Sequence, residues 1–368
     1  MPDALKTELM EVNMGPHHPS THGVFRAVVT LDGETVVKVV PHLGYLHRGI
    51  EKLCEHRTYH QIIPLTDRLD YMAGASNNLG YVLVVEKLLN IEVPQRCRFI
   101  RIIVTELSRI SSHLFWLGAC AHDIGAMSPF FYLVREREQI LYLLEMLTGA
   151  RLTPSYFRIG GLAADVTPEF MAATLALIKD FPSKVDEYET LLTENPIWKS
   201  RTKAVGILPP EDAIRLGVSG PMARASGIAW DLRKNAPYSG YEQFDFTMAV
   251  HKGCDCYDRY RVRVEELRQS CRIVHQALDG LPEGDYKLAL KGAIRPPAGE
   301  VYAAIEAPRG ELGFYIISDG SLRPFRVKIR PPTFVNLQSL RLMSEGHLFS
   351  DMVASLSSVD IVLAEVDR

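Results

Sequence analysis

Between Pro94 and Gly125, apolar residues recur at intervals of three and four: Ile100, Ile103, Val104, Leu107, Ile110, Leu114 and Leu117. At 3.6 residues per turn these share one side of a helix, so the spacing predicts one long helix with a buried stripe. Such a stripe needs partners, and the neighbouring sequence offers several. Tyr71–Leu89 has a helical pattern ending near Asn90. Ser128-Pro129 reads as an N-cap with proline at the first helical position, opening a helix that runs to about Thr148 and stops at Gly149. Thr167-Pro168-Glu169 opens another by the same logic, with a kink expected at Pro182. A fifth is expected from about Tyr257 to Leu278, and a shorter helical stretch, Gly49–Gln61, is expected to break at Pro64.

The ends of the chain read differently. Phe25–Leu31 and Thr35–Val40 flank Asp32-Gly33, a hairpin signal, and Pro41 is expected to end the second strand. After Gly299, Val301–Ala307, Leu312–Ser318 and Phe325–Ile329 are separated by glycine and proline turns. Strands, then helices, then strands without βαβ alternation imply an α+β fold, a central helix bundle flanked by N-terminal and C-terminal β segments. With no internal repeat, low-complexity tract or linker, residues 1–368 are expected to form one unit. Its N-terminal β region spans about 8–45, its helical core about 49–280, and its C-terminal β region and tail about 299–368.

The 368 residues are 47% hydrophobic, enough for a large core. The formal net charge of -3 gives no basic excess for nucleic acid. No apolar run approaches the roughly 18 residues that cross a bilayer. Met1-Pro-Asp-Ala-Leu-Lys6 lacks a basic-then-apolar leader, so a cytoplasmic chain that meets the membrane through partners is expected. Neither G-x-G-x-x-G after a strand nor G-x-x-x-x-G-K-[ST] is present, which argues against binding of NAD or ATP by this chain.

The six cysteines, Cys54, Cys97, Cys120, Cys254, Cys256 and Cys271, contain no C-x-x-C pair. An iron–sulfur cluster wants four thiolates, so none is expected here, nor any other metal. Seven of the twelve histidines fall between His17 and His60. His56 and His60, four apart, could share a helix face and serve a metal-dependent hydrolase. Without H-E-x-x-H they read more simply as surface or hydrogen-bonded residues, and His17-His18 point apart in an extended chain.

Several stretches are distinctive together: Gly15-Pro-His-His-Pro-Ser-Thr-His-Gly23, Pro41-His-Leu-Gly-Tyr-Leu-His-Arg-Gly49, Glu55-His-Arg-Thr-Tyr59, Arg68-Leu-Asp-Tyr71 and Val85-Glu-Lys-Leu-Leu-Asn90. They continue with Pro129-Phe-Phe-Tyr132, Arg135-Glu-Arg-Glu138, Arg224-Ala-Ser-Gly227, Pro237-Tyr-Ser-Gly-Tyr-Glu242, Arg309-Gly-Glu-Leu-Gly313, Pro332-Thr-Phe-Val-Asn-Leu-Gln-Ser339 and Asp360 to Arg368. In this order they resemble the D-type subunits of NADH-quinone oxidoreductase, respiratory complex I, over nearly the whole chain. That family is in turn similar to the large subunit of nickel–iron hydrogenases, whose two C-x-x-C pairs bind the metals. The corresponding places here are Arg68-Leu-Asp-Tyr71 and Asp360-Ile-Val-Leu-Ala-Glu365, without a cysteine in either. A nickel site needs soft thiolates, so hydrogenase chemistry is unsupported, and what the resemblance implies is a cavity that admits a quinone head group.

The resemblance implies that Tyr71 and His22 are the head-group ligands and that Asp123 pairs with His22, orienting the ring and favouring its charged form. Arg48 and Arg68 would approach a 4Fe-4S cluster carried by a partner. No cofactor would be bound by this chain itself, and quinone would be the substrate. The partners implied are the B, C and I proteins of the peripheral arm and the H protein of the membrane arm, on the cytoplasmic side of the inner membrane. Taken alone, each residue has a plainer reading. Tyr71 would be a core residue at a helix start and His22 a solvated loop histidine. Asp123 would be a helix-end polar group, and Arg48 and Arg68 salt-bridge partners of Glu51, Asp67 or Asp70. His113, with Arg109 and Glu106, reads as a member of a buried network.

Overall fold

The structure is a computed structural model that describes residues 8–368. An N-terminal antiparallel sheet is built from β1 (Leu9–Met14), β2 (Arg26–Asp32) and β3 (Thr35–His42), with β2 in the middle. The helical part follows: α1 (Ile50–Glu55), α2 (Tyr59–Thr66), α3 (Gly74–Leu89), α4 (Gln95–Asp123) and α5 (Met127–Thr148). A two-stranded hairpin, β4 (Phe157–Arg158) and β5 (Gly161–Leu162), leads into α6 (Pro168–Leu192). Short helices α7 (Pro196–Thr202), α8 (Pro210–Arg215), α9 (Pro221–Ala225) and α10 (Leu232–Asn235) precede α11 (Cys256–Asp279). A second three-stranded antiparallel sheet, β6 (Gly299–Ala307), β7 (Gly310–Ser318) and β8 (Arg326–Arg330), is followed by α12 (Pro332–Asn336), α13 (Leu340–Ser344), α14 (Phe349–Val359) and α15 (Leu363–Asp367). The class is α+β, as the order of patterns implied.

Helix α4 is the axis of the molecule, packed by α3, α5, α11 and α14. It is buried on nearly every side, not along one stripe. The charged residues on its other faces are paired inside the protein. Arg101 donates to Glu86 at 2.6 and 2.9 Å, Arg109 lies 3.2 Å from Glu106, and His113 Nε2 lies 2.8 Å from Glu266. An unpaired buried charge would be costly. Each fully buried Leu, Ile or Phe on these helices contributes about 1.5–3 kcal/mol.

There are two main apolar cores. One joins the bundle to the β6–β8 sheet, through residues such as Leu107, Ile110, Phe314 and Val327. The other is made by the two ends of the chain, the N-terminal sheet (Phe25, Val29, Val36) closing on the C-terminal helices (Leu340, Met352, Leu356, Leu363). The C-terminal tail is therefore helical and buried.

Several local expectations are corrected. The helix expected over Gly49–Gln61 is two helices, divided at Arg57-Thr58. The Gln61 side-chain carbonyl accepts the Thr58 N–H at 3.1 Å and starts α2 there. Pro64 lies within α2, which its buried residues Tyr59, Ile62, Ile63 and Thr66 hold in place. His56 consequently stands just past the end of α1, whereas His60 lies within α2. Helix α3 begins at Gly74, so Tyr71 stands in the preceding turn. Helix α5 starts at Met127 with Ala126 as its cap, placing Ser128 and Pro129 inside its first turn. Helix α6 runs on through Pro182. Pro41 remains inside β3, tolerated because β3 is an edge strand.

Candidate functional site

A cavity of about 510 Å³ opens where six segments converge. They are the loop around Pro19–Gly23, the turn at Tyr71-Met72, the C-terminal half of α4, the first turns of α5, Arg309 between β6 and β7, and the Asp360–Val362 segment after α14. Phe115, Trp116, Met127, Phe130 and Phe131 supply apolar wall, while His22, Tyr71, His122, Asp123, Arg309 and Asp360 supply the polar groups. A small set of polar groups set in apolar walls is the usual make-up of an organic-ligand pocket. No cysteine lines it.

His22 is presented by a tightly folded loop. Thr21 Oγ1 donates to the His18 carbonyl at 2.7 Å, and the Phe25 N–H donates to the Thr21 carbonyl at 3.2 Å. The loop closes so tightly that a Cβ on Gly15 would sit 2.0 Å from the Phe25 carbonyl oxygen, at a φ of +87°. Only glycine serves there. His22 itself takes the left-handed conformation, φ 49° and ψ 41°. Its Nε2 lies 3.1 Å from Asp123 Oδ2, at the last residue of α4. The same oxygen accepts the Ser357 hydroxyl at 2.7 Å, and Trp116 Nε1 donates to the Ser357 carbonyl at 2.8 Å. The carboxylate is thus held from two sides, and the imidazole turned by it faces the cavity.

Tyr71 owes its place to Asp70, whose Oδ1 accepts the N–H groups of Met72 and Ala73 at 3.0 and 3.2 Å. Such a side-chain-to-backbone turn is characteristic of aspartate. The Tyr71 hydroxyl has no hydrogen-bond partner among the described residues. The residue is 43% exposed, but what it faces is a concavity enclosed by protein. Desolvation therefore raises its pKa above the ordinary phenol value. The charge of Asp70 adds to the rise and Arg309 opposes it.

Arg48 and Arg68 do not line this cavity. They lie together on an exposed surface: Arg48 Nη2 donates to the Arg68 carbonyl at 2.6 Å, and Arg68 Nη1 donates to the Pro64 carbonyl at 2.6 Å. Arg68 is 3.6 Å from Asp67, whose carboxyl is pushed up to about 6, by burial first, against the Ser155 hydroxyl and Arg68 that lower it. Glu51 is instead taken by Lys328, Arg326 and Arg368, and Asp70 by Arg309.

His113 stands apart from the cavity, in a buried network. Glu266 binds both His113 and Arg224, Arg224 also reaches Glu306, and Arg233 bridges Asp231 and Glu106. Among the described residues, no three His, Cys, Asp or Glu side chains converge as a metal site.

Three residues of the site were not singled out in the sequence: Arg309, Asp360 and Ser357. Arg309 and Asp360 each lie in a distinctive stretch, but their partnership crosses the fold. Arg309 Nη2 lies 3.0 Å from Asp360 Oδ1, its Nε donates to the Asp360 carbonyl at 3.0 Å, and its Nη1 reaches Asp70 and, at 3.1 Å, the Ser112 hydroxyl. The Arg68–Tyr71 and Asp360–Glu365 stretches thus meet on one guanidinium.

The family model described as respiratory-chain NADH dehydrogenase, 49 Kd subunit, matches residues 123–294 and 286–368. The D-type subunit of the NADH-quinone oxidoreductase of Geotalea uraniireducens is 52% identical to the chain, over 98% of it and 99% of the relative. The second D-type subunit of the same enzyme in Solibacter usitatus is 54% identical over 100% of both. That of Desulforamulus reducens is 54% identical over 99% of both. An aromatic-walled cavity holding the residues that the motifs pointed to, and full-length likeness of this degree, lead to one conclusion: the chain belongs to the 49 kDa subunit family of respiratory-chain NADH dehydrogenase, that of the D-type subunits of NADH-quinone oxidoreductase.

Proposed function

We propose that this chain forms the quinone pocket of a proton-translocating NADH:quinone oxidoreductase, where a quinone head group enters the cavity and is reduced to quinol. The observation that carries the reading is the convergence on one aromatic-walled cavity of a phenol without a hydrogen-bond partner and an imidazole held by a carboxylate. Its volume lies within the ~300–1,000 Å³ typical of organic-ligand sites.

Reduction takes two electrons and two protons, and negative charge develops on the quinone oxygens as electrons arrive. Donors placed there lower the barrier. The Tyr71 hydroxyl donates to one oxygen and the His22 ring to the other. With Nε2 engaged by Asp123, the Nδ1 side of the ring remains for the head group. Asp123 orients the imidazole, and Ser357 keeps that carboxylate in place. Apolar walls lower the effective dielectric around the head group, which strengthens each of these interactions.

The electrons come from a 4Fe-4S cluster on a partner subunit, and Arg48 and Arg68 form the surface that faces it. Their positive charge favours the reduced, more negative cluster. The partners are the B, C and I proteins of the peripheral arm and the H protein of the membrane arm, on the cytoplasmic side of the inner membrane. No helix among the described residues is long and apolar enough to cross a membrane.

Substituting Tyr71→Phe in the assembled complex tests the assignment. Loss of a positioned proton donor is expected to slow quinone reduction by about a hundredfold or more, while the partner's cluster is still reduced by NADH. Full activity with ordinary quinone affinity would overturn it.

A further inference from the structure

Behind Tyr71, three buried carboxylates gather on one arginine. Arg309 binds Asp70 and Asp360 directly, and Glu365, which accepts the Thr333 hydroxyl, stands within electrostatic reach of Asp70, Asp360 and Arg309. All four side chains are almost wholly shielded from solvent. The groups facing the cluster come from every element packed on it: Ser112 of α4, Tyr71 of the turn before α3, Thr333 of α12, and Arg263 of α11, the second cation, which stacks on Trp116 at 4.1 Å. Three carboxylates thus gather around one directly bound guanidinium, with Arg263 a second positive charge in the field of Asp360, so that negative charge is in excess. Asp360 Oδ2 is buried without a hydrogen-bond partner among the described residues, and Asp360 and Arg309 also line the cavity. Asp360 and Arg309 thereby join the cluster to the inner wall of the pocket that the phenol faces.

We infer that Asp70, Asp360 and Glu365 around Arg309 are a proton-holding cluster that recharges Tyr71 during quinone reduction. This rests on the proposed function above and adds a source for one of its protons. The Tyr71 O–H bond breaks as its proton passes to the reduced quinone oxygen. The O–H bond re-forms with a proton released by a cluster carboxyl, carried by cavity water, and that carboxyl becomes a carboxylate. It is reprotonated from bulk water once quinol leaves. No electron changes hands in the cluster: both electrons reach the quinone by way of the complex. Burial raises Asp70 above the ordinary carboxylate range and lifts Glu365 to about 8, with the neighbouring negative charges adding to the rise and Arg309 opposing it. The proton belongs to the coupled set rather than to one residue.

The test uses the purified whole complex with Glu365→Gln and, as a milder change, Thr333→Val. Infrared spectra of wild type minus Glu365→Gln are expected to show a protonated carboxyl band that fades as pH rises through about 8. Wild-type kcat is expected to fall about tenfold per pH unit above that midpoint as the cluster empties. Glu365→Gln is expected to be slower at pH 7 and to lack that limb. Thr333→Val removes a hydroxyl that stabilises the carboxylate, so its limb moves to higher pH. A wild-type limb in both variants, with no carboxyl band in the difference spectrum, would overturn the cluster. Photolabelling of the same preparations by a quinone analogue separates the two claims. Label at Tyr71 or His22 with an unmoved limb removes the cluster alone, and no label in wild type removes the pocket and the cluster with it.

Discussion

Asp123 shows how a single carboxylate is committed on two sides, to His22 at 3.1 Å and to Ser357 at 2.7 Å. If its task is to aim the imidazole, Asp123→Asn should reduce kcat/KM for quinone by about tenfold to a hundredfold, the scale on which catalytic groups suffer from small misplacements. Ser357→Ala should cost less, because the ring keeps its acceptor. Steady-state kinetics on both variants checks the order, and a larger loss from Ser357→Ala would exclude the aiming role. Arg48→Gln should lower the midpoint potential of the partner's cluster by on the order of tens of millivolts, the scale of one charge at low effective dielectric. An electron-resonance redox titration measures this, with Arg326→Gln, beside Glu51, as the control. His22 and Tyr71 could be named in advance because each stands in a short distinctive string, and Asp123 because the resemblance implies a partner for His22. Arg309, Ser357 and Glu365 gain their roles from partners distant in sequence, and spacing cannot name a partner across the fold.

At the scale of elements, the cavity depends on how closely α4 and α5 pack. A Cβ on Gly118 would lie 2.9 Å from Phe130 Cδ2 and 3.4 Å from Phe130 Cα, and Phe130 is cavity wall. Gly118→Ala should therefore displace Phe130 and raise KM for quinone several-fold, with kcat less affected and assembly intact; overpacking of this kind costs about 1–3 kcal/mol. An unchanged KM would show that the wall gives way freely. The long helices were legible because many residues repeat one period, as along Ile100, Val104, Leu107 and Leu114. The division between α1 and α2, and the short helices α12 to α15, were not. There the outcome turns on one cap or on burial against distant residues, and Pro64, a sound local breaker, is overruled by packing.

Across the whole molecule, stability and site share an interior rich in charge. Arg224 holds Glu266 and Glu306 together and donates to the Trp230 carbonyl at 2.9 Å. Arg224→Ala would leave two buried carboxylates short of a partner and should destabilise the chain by about 3–5 kcal/mol, read as lost yield of assembled complex and a lower denaturant midpoint. The α+β class was legible from the order of patterns along the chain. The second core was not, because no local signal says that the first strands will close on the last helices. That closure bears on biosynthesis. The loop bearing His22 is translated long before the Asp360–Val362 wall. A nascent chain can acquire its earlier helices before that wall segment is made, but the pocket has no inner wall until then, so a ligand offered earlier finds nowhere to bind.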